Sequence, residues 1–253
     1  MANRKHYDLR QMVAGGYTTD HSSIHKFGAV PQMSINNTGT VWDINNTLYP
    51  WSALDTPAVV NIERNNIADD GFNVVVQGLD SDWNSQTETI TIDGADTVGT
   101  KLFRRVNRVF IETGSAATNT GDIDIEAGAA GGTTVARITA GQGQSLMAVY
   151  TIPAGYIGYV FQGTASIQSG GDATGYMYVR KNTSGTAFRV AHTFELAGDG
   201  GQYFYPFAFP IPLLEKSDID VRASVRSNNA RVTAAFDLLL VENRPEAPIT
   251  SSL

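Results

Sequence analysis

The amino-acid sequence predicts an all-β protein, a jelly-roll-like β-sandwich preceded by an extended N-terminal arm. Three observations support this fold class. Roughly a dozen short runs rich in β-branched and aromatic residues recur along the chain. Clusters of glycine, proline, asparagine and aspartate separate these runs. No segment repeats its apolar residues with a helical period over several turns.

The composition agrees with a turn-rich β protein. Of the 253 residues, 25 are glycines, 42% are hydrophobic and only 17% are charged. A disordered chain would be poorer in hydrophobic residues. The chain can therefore bury a sizeable core, as one large domain or as two smaller ones.

The most regular stretch is residues 145–168, SLMAVYTIPAGYIGYVFQGTASIQ. Two strand-like runs, 145–152 and 156–168, flank Pro153, Ala154 and Gly155, which favour a turn. This pattern predicts a central β-hairpin. Apolar side chains occupy both faces of each run, so we expect the hairpin to be covered on both sides.

Strand signals fill the predicted body, residues 34–242. A glycine-rich loop at 128–132 is the candidate boundary if the body consists of two sandwiches in series, although we favour one sandwich. The tail, residues 243–253, contains two prolines and is expected to be extended. The strand signals lie at 40–43, 47–51, 59–63, 72–79, 88–92, 102–113, 121–127, 135–138, 145–152, 156–168, 175–181, 187–196, 203–211, 219–227 and 231–241.

Residues 1–33 differ from the body in their pattern of apolar and polar residues and are predicted to form the arm. They show little period-2 alternation, a Gly15-Gly16 break and one candidate short helix around 7–13. Apolar side chains favour an arm ordered by lying on another surface. We expect its deletion to abolish attachment and leave a folded body. The predicted partner-interface residues are Met12, Val13, Tyr17, Phe27 and Val30 in the arm, with Trp42 and Trp51 of the body.

Charge and cysteine content exclude several function classes. The net charge is −7 and no Lys/Arg run exceeds two residues, which disfavours nucleic acid as a partner. The absence of cysteine excludes disulfides and thiolate metal sites. The N-terminal segment lacks the apolar core of a standard signal peptide, and no window approaches the roughly 18 apolar residues of a membrane span. We expect neither export by such a signal nor a membrane partner.

Candidate metal-binding acids lie in GDIDIEAG. Asp122, Asp124 and Glu126 resemble the start of a calcium loop, but Ala127 and Thr133 stand where that loop needs glycine and glutamate. We interpret these acids as a solvent-facing row on a strand.

The histidines give no zinc signature. His21 and His25 are four residues apart, a ligand spacing only on a helix, and no HExxH motif accompanies them. His192 shares a strand face with Phe188, Val190 and Phe194, which indicates a packing role. No pair of carboxylates stands out for acid–base chemistry. We expect no enzyme activity, no cofactor and no metal.

Two further sequence patterns bear on a role in assembly. Aromatic residues cluster at 42–51 and again at 203–209, and we assign most of them to core packing. The stretch 215–226 alternates charged and apolar residues like an edge strand. A weakly charged β body with an arm is typical of interlocking subunits, because contacts between chains stabilise a fold without disulfides.

Seven segments together resemble a family of virion structural proteins from tailed phages, especially phages of marine and cyanobacterial hosts. The resemblance spans residues 41–241, and the arm departs from it. It implies a capsid cement or decoration protein, β-rich and commonly trimeric. Such a protein is made in the host cytoplasm, binds the major capsid protein and sister copies, and resides in the virion. The segments are VWDINNTLYPW (41–51), VVVQGLD (74–80), ETITIDG (88–94), GQSLMAVYTIPAGYIGYV (143–160), FRVAH (188–192), EKSDIDVRA (215–223) and AAFDLLLV (234–241).

Two function classes stay open beside capsid decoration. One is a tail or neck component, such as a host-glycan adhesin that stacks sugars on Trp42, Trp51 or Trp83. The other, weaker hypothesis is a carbohydrate-active enzyme. A location on the head or on the tail is not decided by the motifs.

Overall fold

The computed structural model describes residues 8–112, 118–182, 187–198 and 201–243. The all-β prediction is confirmed, because strands dominate and the helices are short. The jelly-roll topology stays a prediction. The helices are α1 (Leu9–Ala14) and two 3-10 turns, Trp51–Leu54 and Ile67–Asp69. The strands are β1 (His21–Met33), β2 (Thr38–Thr40), β3 (Val60–Arg64), β4 (Asn73–Leu79), β5 (Ser85–Thr91), β6 (Asp96–Val98), β7 (Arg105–Ile111), β8 (Ile123–Ala127), β9 (Thr133–Ile138), β10 (Val149–Thr151), β11 (Tyr156–Ile167), β12 (Asp172–Lys181), β13 (Arg189–Leu196), β14 (Gln202–Leu213), β15 (Ser217–Ser227) and β16 (Ala230–Glu242).

The described strands form two lobes, each a pair of antiparallel sheets around its own apolar core. In the first lobe, sheet 1 has the order β1-β16-β11-β14, and sheet 2 has the order β10-β15-β12-β13 with β2 beside β15. In the second lobe, one sheet has the order β6-β3-β8-β9 and the other β5-β4-β7. Inward side chains of facing sheets fill each core, as in β-sandwiches generally.

The second lobe is inserted into the first along the chain. The first lobe takes its strands from β1, β2 and β10 to β16, whereas β3 to β9 build the second. The candidate division at 128–132 is instead the turn of the β8–β9 hairpin, where Gly128 and Gly131 adopt positive φ. The two sandwiches are therefore nested rather than arranged in series.

Most of the described part of the predicted arm belongs to the first lobe. Strand β1 pairs antiparallel with β16 from His21↔Val241 to Val30↔Val232 and forms one edge of sheet 1. Helix α1 precedes it and is capped by Asp8, which accepts a hydrogen bond from the Gln11 N–H at 2.8 Å. The arm is thus ordered by packing on its own chain. Residues 1–7, like the tail from residue 244, lie outside the described residues.

Strand β1 was not recognised in the sequence because polar or small residues occupy its inward positions. Lys26 and Gly28 alternate with Phe27 and Ala29, so the apolar alternation is lost. A Cβ atom at Gly28 would lie 2.2 Å from the Val41 carbonyl oxygen, so only glycine permits this approach.

The predicted central hairpin is wrong, although its strands exist. Strand β10 pairs with β15 in sheet 2, whereas β11 pairs with β16 and β14 in sheet 1. The turn 153–155 therefore carries the chain from one sheet to the other. Its proline and glycine suit either kind of turn. Burial on both faces is found in β10, where Tyr150 enters the first core and Val149 the second.

Candidate functional site

Buried charges meet where the two lobes join. The Asp218 carboxylate, fully buried on β15, accepts hydrogen bonds from Arg105 Nε at 3.2 Å and Arg180 Nη2 at 2.6 Å. It also accepts from Thr151 Oγ1 at 2.6 Å and Asn182 Nδ2 at 2.7 Å. Both of its oxygens are occupied, which is what a buried carboxylate requires. This group links strands of the two lobes.

A second buried carboxylate lies two residues further on the same face of β15. Asp220 accepts from Thr40 Oγ1 at 2.8 Å and from the Trp51 indole N–H at 2.9 Å. Arg222 Nη2 lies 2.8 Å from Asp220 Oδ2, the oxygen that also accepts from Trp51. The carboxylate is saturated by donors from β2, the Trp51 turn and β15.

Arginine and aromatic side chains alternate across this junction. The Arg105 guanidinium lies 5.6 Å from the Trp51 ring centre and 5.1 Å from that of Trp83. The Arg180 guanidinium lies 5.6 Å from Trp51 and 4.7 Å from Phe188. Cation–π contacts of this kind are strongest when shielded from water. Trp51 is thus a structural residue of the lobe junction.

The seven predicted interface residues do not form one surface. Val13, Val30, Trp42 and Trp51 are buried against other parts of this chain, and Met12 and Phe27 are half-buried. Only Tyr17 is largely exposed, at 64%. Val30 is buried because it lies on β1, a strand of the first lobe, and Val13 because it lies on α1. Trp42 and Trp51 pack against Tyr49 in the body. In this fold those side chains stabilise the subunit itself.

Of the three tryptophans considered as a sugar platform, two are inaccessible. Trp42 packs edge-on against Tyr49 at 5.2 Å, and Trp51 lies in the lobe junction. Trp83 is half-exposed, sits in a turn at φ 71° and stacks with Arg104 at 5.0 Å.

An exposed apolar surface lies on two edge strands of the first lobe. Strands β13 and β14 are the edge strands of sheets 2 and 1, and most of their residues are exposed. Strand β14, QYFYPFAFPIPL, has no charged residue. We call this surface the aromatic end and define it by Val190, Phe204, Tyr205 and Phe209, which are 47%, 62%, 44% and 88% exposed.

A bulge pushes Phe209 out of the sheet. Strand β14 takes five residue steps from Pro206 to Ile211 while β11 takes two from Gln162 to Val160. The extra residues leave the ladder, and bulges at sheet edges commonly redirect a side chain in this way. Phe209 is consequently the most exposed large apolar side chain among the described residues.

An aromatic cluster beneath the bulge closes the gap between the two sheets. The His192 imidazole hydrogen-bonds the Tyr203 hydroxyl and lies 5.1 Å from the Phe207 ring centre, and burial lowers its pKa. Phe194 stacks on Tyr203 at 4.7 Å. The packing role predicted for His192 agrees with these contacts. The cluster supports the aromatic end from inside.

A groove of about 570 Å³ crosses the outer face of sheet 1. Its floor consists of two rows of cross-strand neighbours. One row contains small residues between two phenylalanines: Phe27, Ala235, Thr164 and Phe204. The other row contains Ala29, Thr233, Ser166 and Gln202.

Comparisons with known proteins do not assign a family. No family model matches the chain, and no curated protein matches it. Among solved structures, the chain is similar to a chain of the cowpea mosaic virus top component, its naturally occurring empty particles. The two share 10% identity over 77% of this chain and 91% of that chain, with a TM-score of 0.25. A superposition this loose shows neither a shared fold nor a shared function.

Of the three acids of GDIDIEAG, only Asp122 is partly exposed, so they do not form a solvent-facing row. Asp124 is buried and accepts two hydrogen bonds of 2.7 Å from Arg137 of the neighbouring strand. Glu126 is buried and accepts from Asn61 at 3.0 Å and from the Gly131 N–H at 2.9 Å. Alternation alone could not show that cross-strand donors cover this face.

Metal ligands are not gathered anywhere in the described ranges, where no three histidine or acidic side chains are arranged to hold an ion. His21 and His25 lie on a strand rather than a helix. Over those same ranges, no helix is both long and apolar enough to cross a bilayer.

Sequence reasoning located the 203–209 aromatic run but misjudged its environment. Aromatic alternation is typical of a core strand. The signal for an exposed edge was the set of prolines, Pro206, Pro210 and Pro212, which cannot donate to a ladder.

Proposed function

We propose that this protein is a non-enzymatic structural component of a virion that decorates or cements the shell, as its sequence resemblance implies. The observation that carries the assembly role is the aromatic end, an uncharged edge strand with apolar side chains exposed on both faces. Burying a single phenylalanine contributes about 1.5–3 kcal/mol. Exposed apolar side chains clustered on one edge strand are typical of protein-binding sites.

The aromatic end suits side-chain docking better than strand addition. Proline is confined to strand positions where no ladder hydrogen bond is needed, so Pro206, Pro210 and Pro212 remove donors from the free edge of β14. An incoming strand would find too few backbone N–H donors to form a ladder of hydrogen bonds with β14. A neighbouring subunit would instead cover the exposed rings.

The proposal includes the absence of catalysis. The buried carboxylates Asp218 and Asp220 are saturated by arginine, tryptophan and hydroxyl donors. A general base needs an accessible lone pair within reach of a substrate. These acids serve the lobe junction instead.

The mechanism is mass action. Each subunit bound to the shell adds contacts that must break before the shell comes apart, so binding of the assembled state stabilises it. A stable contact of this kind buries about 800 Å² per partner. The aromatic end would be the apolar centre of such a contact.

Co-sedimentation with purified shells tests the proposal. Phe204→Ser combined with Phe209→Ser should abolish binding and leave the protein soluble, because these side chains lie outside both cores. Ile67→Ser, which removes a residue 73% exposed on the second lobe, is the matched control and should bind normally.

Immunogold labelling of intact virions separates the head from the tail. Label on the shell facets supports cementing, and label at the tail tip supports the tail or adhesin alternative. Unlabelled virions, or normal binding of the double variant, would refute the assembly role of the aromatic end.

A further inference from the structure

The aromatic end carries a protruding side chain, Phe209, on a backbone that nearby prolines restrict. Phe209 is 88% exposed at the bulge of β14, and Pro206 and Pro210 restrict the backbone on either side. Restricted backbones lose little entropy on binding. Phe209 therefore has the properties of a preorganised anchor.

The groove on sheet 1 has the shape and chemistry to receive an aromatic side chain. Ala235 and Thr164 form its floor between Phe27 and Phe204, whose strands are three strand spacings apart, roughly 14 Å. The Ser166 and Thr233 hydroxyls bond each other at 2.6 Å, which satisfies one of their two O–H donors. The floor therefore offers apolar contact at Ala235 between the two phenylalanines, with the hydroxyl pair beside it.

The groove and the anchor belong to one chain but do not meet within it. Phe209 does not line the groove, and its exposure shows that nothing in its own described chain covers it. A second copy of this chain brings the two together.

Charge favours a second copy as the occupant. Copies of a chain with net charge −7 repel each other, and they approach most easily through uncharged surfaces. Strand β14 has no charged residue, and Arg231 is the one charged residue among the described residues that line the groove. A strongly acidic partner would find only Arg231 as a complementary charge there, and a strongly basic partner would find none among the lining residues.

We propose that Phe209 of one copy inserts into the sheet 1 groove of a second copy, so that subunits associate head to tail. The inference rests on the proposed function and names the partner of the aromatic end. Because anchor and groove are different surfaces, the contact is heterologous, and such contacts close into a ring when the rotation permits.

Cross-linking tests the geometry cleanly because the chain has no cysteine of its own. Ala208→Cys places a thiol beside the anchor, and Ser166→Cys places one in the groove. Differently tagged full-length chains carrying one change each are mixed and treated with a short bis-maleimide. We expect a cross-link between the two tagged species and none when either is treated alone. Cross-linking of Ala208→Cys chains to each other, or no cross-link in the mixture, would overturn the proposal.

Sedimentation velocity supplies the energetic test on the same purified protein. Phe209→Ser and the groove-filling Ala235→Trp should each weaken self-association roughly tenfold or more. Ile67→Ser should leave it unchanged. A monomeric wild type, or unaltered association of both variants, would contradict head-to-tail docking. Shell co-sedimentation, read separately, would still report on the proposed function.

Discussion

At the scale of single residues, two buried ionisable groups near the lobe junction oppose each other in their pH dependence. Lys26 Nζ donates to the Asn107 carbonyl at 2.5 Å, and burial, with Arg108 nearby, lowers its pKa to about 7. Asp43 accepts from the Leu146 N–H at 2.6 Å, and burial raises its pKa to about 7 despite Arg137. Each charge is costly to bury, so each group favours its neutral form.

The sign of each contribution follows from proton linkage. Asp43 has a pKa of 3.8 in the unfolded state and about 7 in the folded state. Between pH 4 and 7 the folded state therefore holds the Asp43 proton and the unfolded state has lost it. The free energy of unfolding consequently falls as pH rises through this range. Above pH 7 the unfolded state binds the Lys26 proton more tightly, so the free energy of unfolding rises towards pH 10.5. The two groups together place a stability minimum near pH 7.

Asp43→Asn tests the contribution of Asp43 to the free energy of unfolding between pH 4 and 7. The variant cannot ionise at this position. The free energy of unfolding of the wild type, relative to that of the variant, should therefore fall by a few kcal/mol from pH 4 to pH 7. Urea titrations at a series of pH values measure it. Because the Asp43 charge raises the pKa of Lys26, the Lys26 contribution differs between the two proteins near pH 7, and the acidic part of the profile is the part to compare. Parallel pH profiles would contradict the burial of a protonated Asp43.

At the scale of elements, strand positions were largely predictable and strand partners were not. Alternation located β4, β8 and β16 correctly. Pairing depends on which edges remain free after distant strands have folded, and that information is not local. The turn at 153–155 illustrates this, because the same residues serve a hairpin or a crossing between sheets.

Strand β1 changes what deletion of residues 1–33 should do. The sequence favoured an arm whose loss leaves the body folded, but β1 covers one edge of β16 along its length. We expect the truncated protein to lose cooperative unfolding in its first lobe, seen by limited proteolysis and near-ultraviolet circular dichroism. Deletion of residues 1–20, which removes α1 and spares β1, is the control and should leave a protease-resistant lobe. Equal resistance of both truncations would contradict this role of β1.

At the scale of the whole molecule, the two lobes are joined by buried polar contacts and not by a flexible linker. Arg105 of the second lobe meets Asp218 of the first, and β10 lies between the cores. The sequence showed these residues as isolated charges on separate strands. Arg105 and Asp218 come together only through the packing of the nested lobes. The exposure of Phe209 likewise depends on that packing.

Arg105→Ala should destabilise both lobes together. It removes one of the two arginines that pair with the buried Asp218 and leaves Arg180 in place, so we expect a cost of about 3 kcal/mol, the lower end of the range for breaking a buried ion pair. Arg226→Ala removes an exposed ion pair with Glu195 and should cost less than about 1 kcal/mol. Differential scanning calorimetry measures both. Equal effects of the two changes would show that the junction does not couple the lobes.

The nesting of one sandwich inside the other also sets the order in which a newly made chain can fold. The second lobe is complete on the ribosome long before the first, because β1 must wait for β16, which begins only at Ala230. At about 5–20 residues per second, that wait lasts on the order of 10–40 s. The groove needs β1 and β16 together, so a polypeptide that stops before β16 has no groove and leaves β11 without one of its two neighbouring strands. Such a fragment could neither receive Phe209 of another copy nor present its own Phe209 on a folded sheet.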